Sequence, residues 1–242
     1  MDLLAKILAL DPTTPRLTVY NEQTGARLDF SGITLDNWTA KVANMLLEEL
    51  DLDEDSLIGI HLQPGWQAVT IALGALAADV GISLTSLDSL IESRSSPETD
   101  ETDKADEADV LFLPPEAFTD APCTDSTADI VIVTDDPFGR GVVETGGELP
   151  EGAIDFGPTV RFYGDNFFPQ TRELAAFLEE PNPFTPDSRV LIQGWSDWED
   201  FSRKVLAPLA AGGSVVIVSH ADSPERLEQI DVTEKVTQQL LL

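Results

Sequence analysis

The chain has 242 residues, 42% of them hydrophobic, so it can bury a sizeable core as one large domain or two small ones. Its 14 lysine and arginine residues stand against 44 acidic residues, which gives a formal net charge of −30. Such a surface repels phosphate backbones and anionic lipid heads, so nucleic-acid and membrane-surface binding are disfavoured. Adaptation to high salt, or the acidic composition of some bacterial proteins, explains the charge without naming a function.

The single cysteine, Cys123, rules out an intrachain disulfide and favours a reducing compartment. The apolar start, residues 1–10, is too short to span a bilayer and lacks the basic region of a signal peptide. Its spacing predicts an amphipathic helix that Asp11 and Pro12 end. No later window reaches transmembrane length, and we therefore expect a cytoplasmic protein.

The first third of the chain predicts a β-hairpin and then a βαβ unit. Residues 16–20 and 27–30 form the two hairpin strands around a turn. Thr34 is the expected cap of the next helix. Strands over residues 57–62 and 80–84, joined by a helix that Pro64 opens, predict a right-handed crossover in a parallel sheet. The helix that Thr34 is expected to cap has an apolar face made of Leu35, Trp38, Val42, Met45 and Leu46.

The middle of the chain is dominated by an acidic run at residues 92–109. This run carries eight acidic residues against two basic ones and predicts a mobile surface loop within a single α/β domain of residues 1–242. Residues 110–113 and 130–133 suit interior strands. Residues 137–169 are rich in glycine and proline and predict either a second small sheet or a long connection, with an apolar piece at 159–163.

The last third returns to alternating helices and strands. Helices are predicted over residues 171–180, 197–210 and 224–242, the last loosened around Asp231, and strands over 189–193 and 214–219. The whole pattern predicts an α/β fold with a mostly parallel sheet flanked by helices and a small N-terminal hairpin.

Two runs of sequence carry a family resemblance. The run Leu28–Leu84 has a strand, a capped helix, an acidic turn, a strand and a helix of small residues. The run Ser188–Val218 has a strand, a turn with two tryptophans, a helix and a strand that follows Gly212-Gly213. In this order they resemble the N-terminal half of the acyl-adenylate-forming, or AMP-binding, acyl-CoA synthetase-like enzymes. The chain is also similar to a short, uncharacterised actinobacterial group.

The departures from that family concern its chemistry. The resemblance implies a phosphate loop that ends in a lysine, yet no lysine stands between Asp129 and Gln170. The family's aspartate motifs for adenine and ribose, and the C-terminal domain that supplies its catalytic lysine, do not follow in this sequence. These departures argue against ATP activation, and no cofactor and no catalytic residue are assigned.

Few side chains stand out as candidates for chemistry. The two histidines and one cysteine do not assemble a metal cluster, and no Gly-x-Ser-x-Gly nucleophile elbow is present. His61, within a predicted strand, favours a structural role. His220 follows a strand end, where α/β sheets bind ligands.

The run Gly194–Trp198 is the most suggestive cluster. A capping pattern from Ser196 to Glu199 explains those two residues structurally. The flanking tryptophans suit either an acyl or aryl pocket or the core. The candidate ligand pocket therefore comprises Trp195, Asp197, Trp198 and His220.

Two functions compete at this point. The first is a truncated, non-catalytic relative of the synthetases that binds a small acyl or nucleotide ligand or a protein partner. The second is a diverged synthetase or ligase that still handles an acyl-adenylate or acyl-CoA, with a separate partner chain completing its site.

Overall fold

The computed structural model describes residues 1–85, 108–117, 128–178, 181–221 and 223–241. Residues 92–107 of the predicted acidic loop, and Cys123, lie outside the described residues. No helix among those described combines the length and apolarity that crossing a bilayer requires.

The described residues form ten strands and six helices, besides a short 3-10 turn at Leu174–Phe177. The strands are β1 Pro15–Asn21, β2 Ala26–Ser31, β3 Leu57–Ile60, β4 Gly81–Leu84, β5 Val110–Leu113, β6 Asp129–Ile132, β7 Ile154–Asp155, β8 Arg189–Ile192, β9 Ser214–Ser219 and β10 Gln238–Leu240. The helices are α1 Ala5–Leu10, α2 Gly32–Glu48, α3 Trp66–Ala78, α4 Phe156–Phe162, α5 over residues 198–210 and α6 Pro224–Glu234. Helix α5 contains a π-helical turn at Ser202–Leu206.

The strands divide into two five-stranded sheets. Sheet A has the order β10-β8-β9-β1-β2, and sheet B has the order β4-β3-β5-β6-β7. Sheet B is parallel throughout, and sheet A is parallel except for the β1–β2 hairpin. The α/β class and the parallel βαβ unit are confirmed. The hairpin is part of sheet A, because β1 pairs in parallel with β9 at the far end of the chain.

Helices α2 and α3 pack closely against each other. The side chains of Leu35, Val42, Met45 and Leu46 are fully buried, which confirms the predicted apolar face of α2. Gly74 permits this close contact, since a Cβ atom there would lie 2.3 Å from a methyl carbon of Val42. One connected cluster of buried side chains includes residues from both sheets, such as Val19 and Ile58.

A buried carboxylate links the hairpin to the C-terminal helix. Glu234, at the end of α6, accepts hydrogen bonds from the Tyr20 hydroxyl at 2.6 Å, the Arg27 guanidinium at 2.9 Å and the Arg189 guanidinium. Burial raises the pKa of Glu234, but these bonds outweigh burial and lower the pKa overall. The carboxylate therefore stays charged and joins β1, β2 and β8 to α6.

Two predicted helix caps were wrong by a few residues. Ser31, and not Thr34, caps α2, because its hydroxyl accepts the Thr34 N–H at 3.2 Å. At α5 the cap is Asp197, whose carboxylate accepts the Asp200 N–H at 2.8 Å, and not Ser196. In both places a neighbouring side chain with the same capping ability has the extended backbone that a cap needs.

Three predicted segments also differ from the structure. The predicted helix 171–180 is only the 3-10 turn within its described part, and the predicted helix 224–242 ends at Glu234. Residues after it form β10, because the open edge of β8 offers backbone partners to Gln238–Leu240. In the glycine-rich stretch, residues 156–162 form α4, and β7 extends sheet B in place of a second small sheet.

Candidate functional site

A cleft of about 390 Å³ lies where the carboxyl ends of strands from both sheets converge. Parallel strands place their following loops at one edge of a sheet, which is where α/β proteins bind ligands. Loops after β3, β5, β6 and β9 contribute, together with residues of the hairpin. The lining comprises Val19, Asn21, Gln23, Ala26, Leu28, Leu62, Gln63, Pro64, Gly65, Trp66, Gln67, Pro114, Pro115, Glu116, Val133, Thr134, Asp135, Pro137, Thr145, Ser219 and His220.

Trp66 forms one apolar wall of this cleft. It opens α3 after Gly65 and packs against Trp38 and Phe30, with ring centroids 4.7 and 5.3 Å away. Trp66 is only 3% exposed, and its indole N–H has no acceptor among the described residues. Gly139 lies close to the same ring, since a Cβ atom there would lie 3.0 Å from it.

Gln67 fixes α3 to the segment that follows β6. Its side-chain amide nitrogen donates to the carbonyl oxygens of Thr134 at 3.0 Å and Asp136 at 3.1 Å. Because both of its N–H groups are used in this way, only the side-chain carbonyl oxygen of Gln67 is left for other partners.

Asp136 organises the turn after β6. Its carboxylate accepts the backbone N–H groups of Phe138 at 2.9 Å and Arg140 at 3.1 Å, and also binds the Arg140 guanidinium at 2.6 Å. Burial raises the pKa of Asp136, but the bonds from Arg140 and Phe138 outweigh it and lower the pKa overall. Asp136 is therefore a charged group held inside its own loop.

Two more carboxylates hold the next backbone amides of this loop. Glu144 accepts the Gly141 N–H at 2.8 Å, a bond that lowers its pKa together with the contact from Arg161. Asp155 accepts the Val142 N–H at 3.1 Å. We call residues 136–144 the carboxylate-filled loop. Four of its backbone N–H groups, those of residues 138, 140, 141 and 142, point at carboxylates of this same chain.

The charged side chains that line the cleft are acidic. Glu116 and Asp135 contribute carboxylates, and the Asn21 side-chain amide donates to the Asp135 carboxylate at 3.5 Å. Lysine and arginine are absent from the described residues that line the cleft. The nearby Arg140 is paired with Asp136.

The candidate residues from the sequence lie in two places. His220 lines the cleft, directly after β9, and has a left-handed backbone with φ of 56°. Trp195 and Trp198 are not part of the cleft lining; both are half-buried and pack on Phe201, with ring centroids 4.8 and 5.6 Å away. Asp197 caps α5 between them and also accepts the Ser196 hydroxyl at 2.9 Å.

The turn at Gly194 nevertheless touches the cleft wall. A Cβ atom at Gly194 would lie 2.6 Å from the Pro64 ring, and Pro64 lines the cleft. The buried Lys204 ammonium donates to the Gly194 carbonyl at 3.2 Å and pairs with Asp200 at 2.7 Å. The turn at Gly194 therefore contacts the cleft wall at Pro64.

His61 is a buried residue and does not line the cleft. The His61 side chain is buried, and its Nδ1 lies 3.0 Å from the Thr85 hydroxyl. Among the described residues, no group of three or more histidine, cysteine or acidic side chains has an arrangement that could hold a metal ion.

Sequence reasoning missed most of the cleft lining. The usable signal was positional: Pro64-Gly65 and Thr134-Asp135 each follow a predicted strand, as His220 does. Applying the strand-end rule to every strand would have identified these residues. The roles of Asp136, Glu144 and Asp155 depend on loop geometry and carried no such signal.

No protein-family model matches the chain. A Mycobacterium tuberculosis protein that bears only a family designation is 29% identical over 257 residues, and the alignment covers 98% of this chain and 96% of that protein.

Two solved structures share the fold. An acyl-CoA synthetase from Brucella canis superposes with a TM-score of 0.75 at 13% identity, covering 100% of this chain and 47% of the synthetase. An acetoacetyl-CoA synthetase from Streptomyces lividans gives 0.72 at 13% identity, covering 100% and 42%. This chain spans less than half the length of either synthetase. It has the α/β fold of the N-terminal region of acyl-CoA synthetases, as the sequence resemblance implied.

Proposed function

We propose that this protein is a non-catalytic relative of the acyl-adenylate-forming synthetases that binds a small organic ligand in the cleft. In this proposal residues 1–242 act as one domain, a view that the buried cluster spanning both sheets supports. The protein would hold its ligand without activating it with ATP. The expected cytoplasmic location and the candidate pocket at Trp195, Asp197, Trp198 and His220 stay predictions.

The carboxylate-filled loop carries this proposal. Loops that bind phosphate do so by turning several backbone N–H groups toward the anion. Here the amides of residues 138, 140, 141 and 142 already donate to Asp136, Glu144 and Asp155. A phosphate group could reach those amides only after these carboxylates had left them.

Charge repulsion opposes the replacement of these carboxylates by a phosphate group. Two unit charges of the same sign that lie 4 Å apart near a protein surface repel by about 4 kcal/mol. A triphosphate beside Asp136 and Glu144 would meet several such repulsions, whereas Arg140 and Arg161 are already paired with those acids. The loop therefore favours the protein's own acids over a nucleotide phosphate.

An exchange assay tests the proposal. Purified protein is incubated with ATP, Mg²⁺, radiolabelled pyrophosphate and, in turn, acetate, hexanoate, palmitate and benzoate. We expect no incorporation of label into ATP above a blank, while an acyl-CoA synthetase assayed in parallel incorporates it. Acid-dependent exchange by this chain alone would overturn the proposal.

A second candidate is a diverged ligase whose active site a separate chain completes. The observation in its favour is that the two structural neighbours are more than twice as long as the matched region. The same exchange assay on a complex purified from the native host separates the two candidates. Exchange by the complex but not by this chain favours the second.

A further inference from the structure

We propose that a surface where α2 and α4 end binds a basic, amphipathic segment of another protein. The surface comprises Phe162, Tyr163, Phe168 and the acidic run at residues 48–55, and we call it the Phe162 surface. None of these residues lines the cleft, so the inference is independent of ligand binding there.

Two phenylalanine side chains of this surface are almost fully exposed. Phe162, the last residue of α4, is 85% exposed and Phe168 is 90% exposed, more than any other large hydrophobic side chain among the described residues. The adjacent Phe167 is buried, so this stretch of chain is anchored in the core. Exposed aromatic rings on an anchored segment are typical of the side chains that a protein partner buries.

Hydrogen bonds from α2 fix the loop that lies between the two rings. The Asn44 side-chain amide donates to the carbonyl oxygens of Gly164 and Asn166, each at 3.1 Å. The Lys41 ammonium donates to the Tyr163 carbonyl oxygen at 2.6 Å. Because the backbone between the rings is already held, a partner that covers them loses little additional chain entropy.

The acidic part of the surface begins beside Phe162. Its ring contacts the Tyr163 ring edge-on, with centroids 5.7 Å apart, and the Tyr163 hydroxyl donates to the Glu49 carboxylate at 2.6 Å. Burial, this hydrogen bond and the negative charges of Glu49 and Glu48 raise the pKa of Tyr163 to about 12. The exposed apolar ring of Phe162 therefore adjoins a negatively charged region.

The acidic run is not neutralised by the protein itself. Residues 48–55 include six acidic side chains, all exposed, and no lysine or arginine. None of the six forms an ion pair with another described residue. The C-terminal end of α2 lies at the same place and adds roughly half a negative charge. The cations beside the loop, Lys41 and Arg161, are already paired with other acids.

Charge complementarity identifies the kind of partner. A segment that carries lysine or arginine beside an apolar face matches both the rings and the acids of the Phe162 surface. A second copy of this chain does not match, since each copy has a net charge of −30 and would place like charges opposite each other. The partner is therefore a different protein with a basic amphipathic segment.

Three fluorescein-labelled peptides of about 18 residues test the inference by fluorescence anisotropy. The first has leucine along one helical face and lysine elsewhere. The second has glutamate in place of each lysine, and the third has the composition of the first in an order without an apolar face. We expect the first peptide to bind about 5-fold or more tightly than the third, and the second not to bind.

Matched variants separate the two rings from other exposed phenylalanines. Phe162→Ser and Phe168→Ser should each weaken binding of the first peptide by about 5-fold or more, because each removes an apolar anchor. Phe138→Ser removes a ring that is 72% exposed outside this surface and should change the affinity by less than about 2-fold. Circular dichroism and the melting temperature of each variant show that lost binding is not unfolding.

A second pair of variants separates the acidic run from the overall charge. Glu48→Gln combined with Glu54→Gln should weaken binding of the first peptide. Glu225→Gln combined with Glu228→Gln removes the same charge from exposed positions on α6 and should weaken it less.

Any of three results would overturn the inference. The first is that the basic amphipathic peptide shows no saturable binding. The second is that Phe162→Ser and Phe168→Ser affect binding no more than Phe138→Ser does. The third is that the two charge variants have equal effects, which would mean that the peptide responds only to the net charge of the protein.

Discussion

Asp136 shows how one buried acid shapes the functional region. It joins the end of β6 to the carboxylate-filled loop by accepting two backbone N–H groups and the Arg140 guanidinium. Its side chain is only 7% exposed, so these bonds form where water competes weakly. The shape of the cleft wall, which includes Thr134, Asp135 and Pro137, therefore depends on this residue.

Replacing Asp136→Asn should destabilise the protein by about 1–3 kcal/mol, because an amide nitrogen cannot accept the bonds from Arg140. Urea unfolding followed by tryptophan fluorescence measures the change. The matched control is Asp135→Asn, which removes an exposed acid next to it and should change stability by no more than about 0.5 kcal/mol. Equal effects of the two variants would contradict the role given to Asp136.

The contribution of Asp136 to the free energy of unfolding should depend on pH. The native pKa of Asp136 lies below its usual range, although burial opposes this, because the Arg140 and backbone bonds favour the charged form. Its contribution to stability is therefore complete above the unfolded pKa of about 4 and is lost as the pH falls through the native pKa. The difference in unfolding free energy between wild type and Asp136→Asn should be constant from pH 6 to 8 and shrink below about pH 4. A difference that grows on acidification would be evidence against this assignment.

The contact between α2 and α3 depends on Gly74. A glycine inside a helix is normally less stable than alanine by about 1 kcal/mol. Here Gly74→Ala should instead destabilise the protein by about 1–3 kcal/mol, because the new methyl group would overlap the Val42 side chain. Combining it with Val42→Ala should restore part of the loss, since the smaller residue makes room. Thermal or urea unfolding of both variants decides this, and a stabilised Gly74→Ala single variant would disprove the packing argument.

Local pattern predicted most of the elements but not how they assemble. The hairpin, α2, β3, α3 and β9 follow from periodicity and turn residues within short windows. Pairing of β1 with β9 joins residues about 200 positions apart, which no local window contains. The predicted helix over 224–242 was wrong at its end for the same reason, since β10 forms against the distant β8.

The candidate site was predictable only in part. His220 follows from the rule that ligands bind at the carboxyl ends of parallel strands. The two tryptophans stood out because they flank a capping pattern just after a predicted strand, but the structure packs Trp195 and Trp198 on Phe201, and neither lines the cleft. The carboxylate-filled loop could not be predicted, because an acid that accepts a backbone N–H has the same sequence signature as a solvated acid.

The protein carries a formal net charge of −30, and repulsion among its acidic residues should make its stability depend on salt concentration. Exposed ion pairs such as Arg172–Asp79 contribute about 0–1 kcal/mol each and weaken in salt. Self-repulsion among so many acids also weakens in salt and is the larger effect at this net charge. The melting temperature should therefore rise by several degrees between about 0.05 and 1 M NaCl. A melting temperature that falls over this range would show that the ion pairs outweigh the repulsion.

The carboxylate-filled loop should exclude nucleotide phosphates. Titrating ¹⁵N-labelled protein with ATP and Mg²⁺, and following the backbone amide signals of residues 138, 140, 141 and 142, tests it directly. We expect these four signals to stay in place up to millimolar ATP. Saturable shifts of the four amides on adding ATP would contradict it.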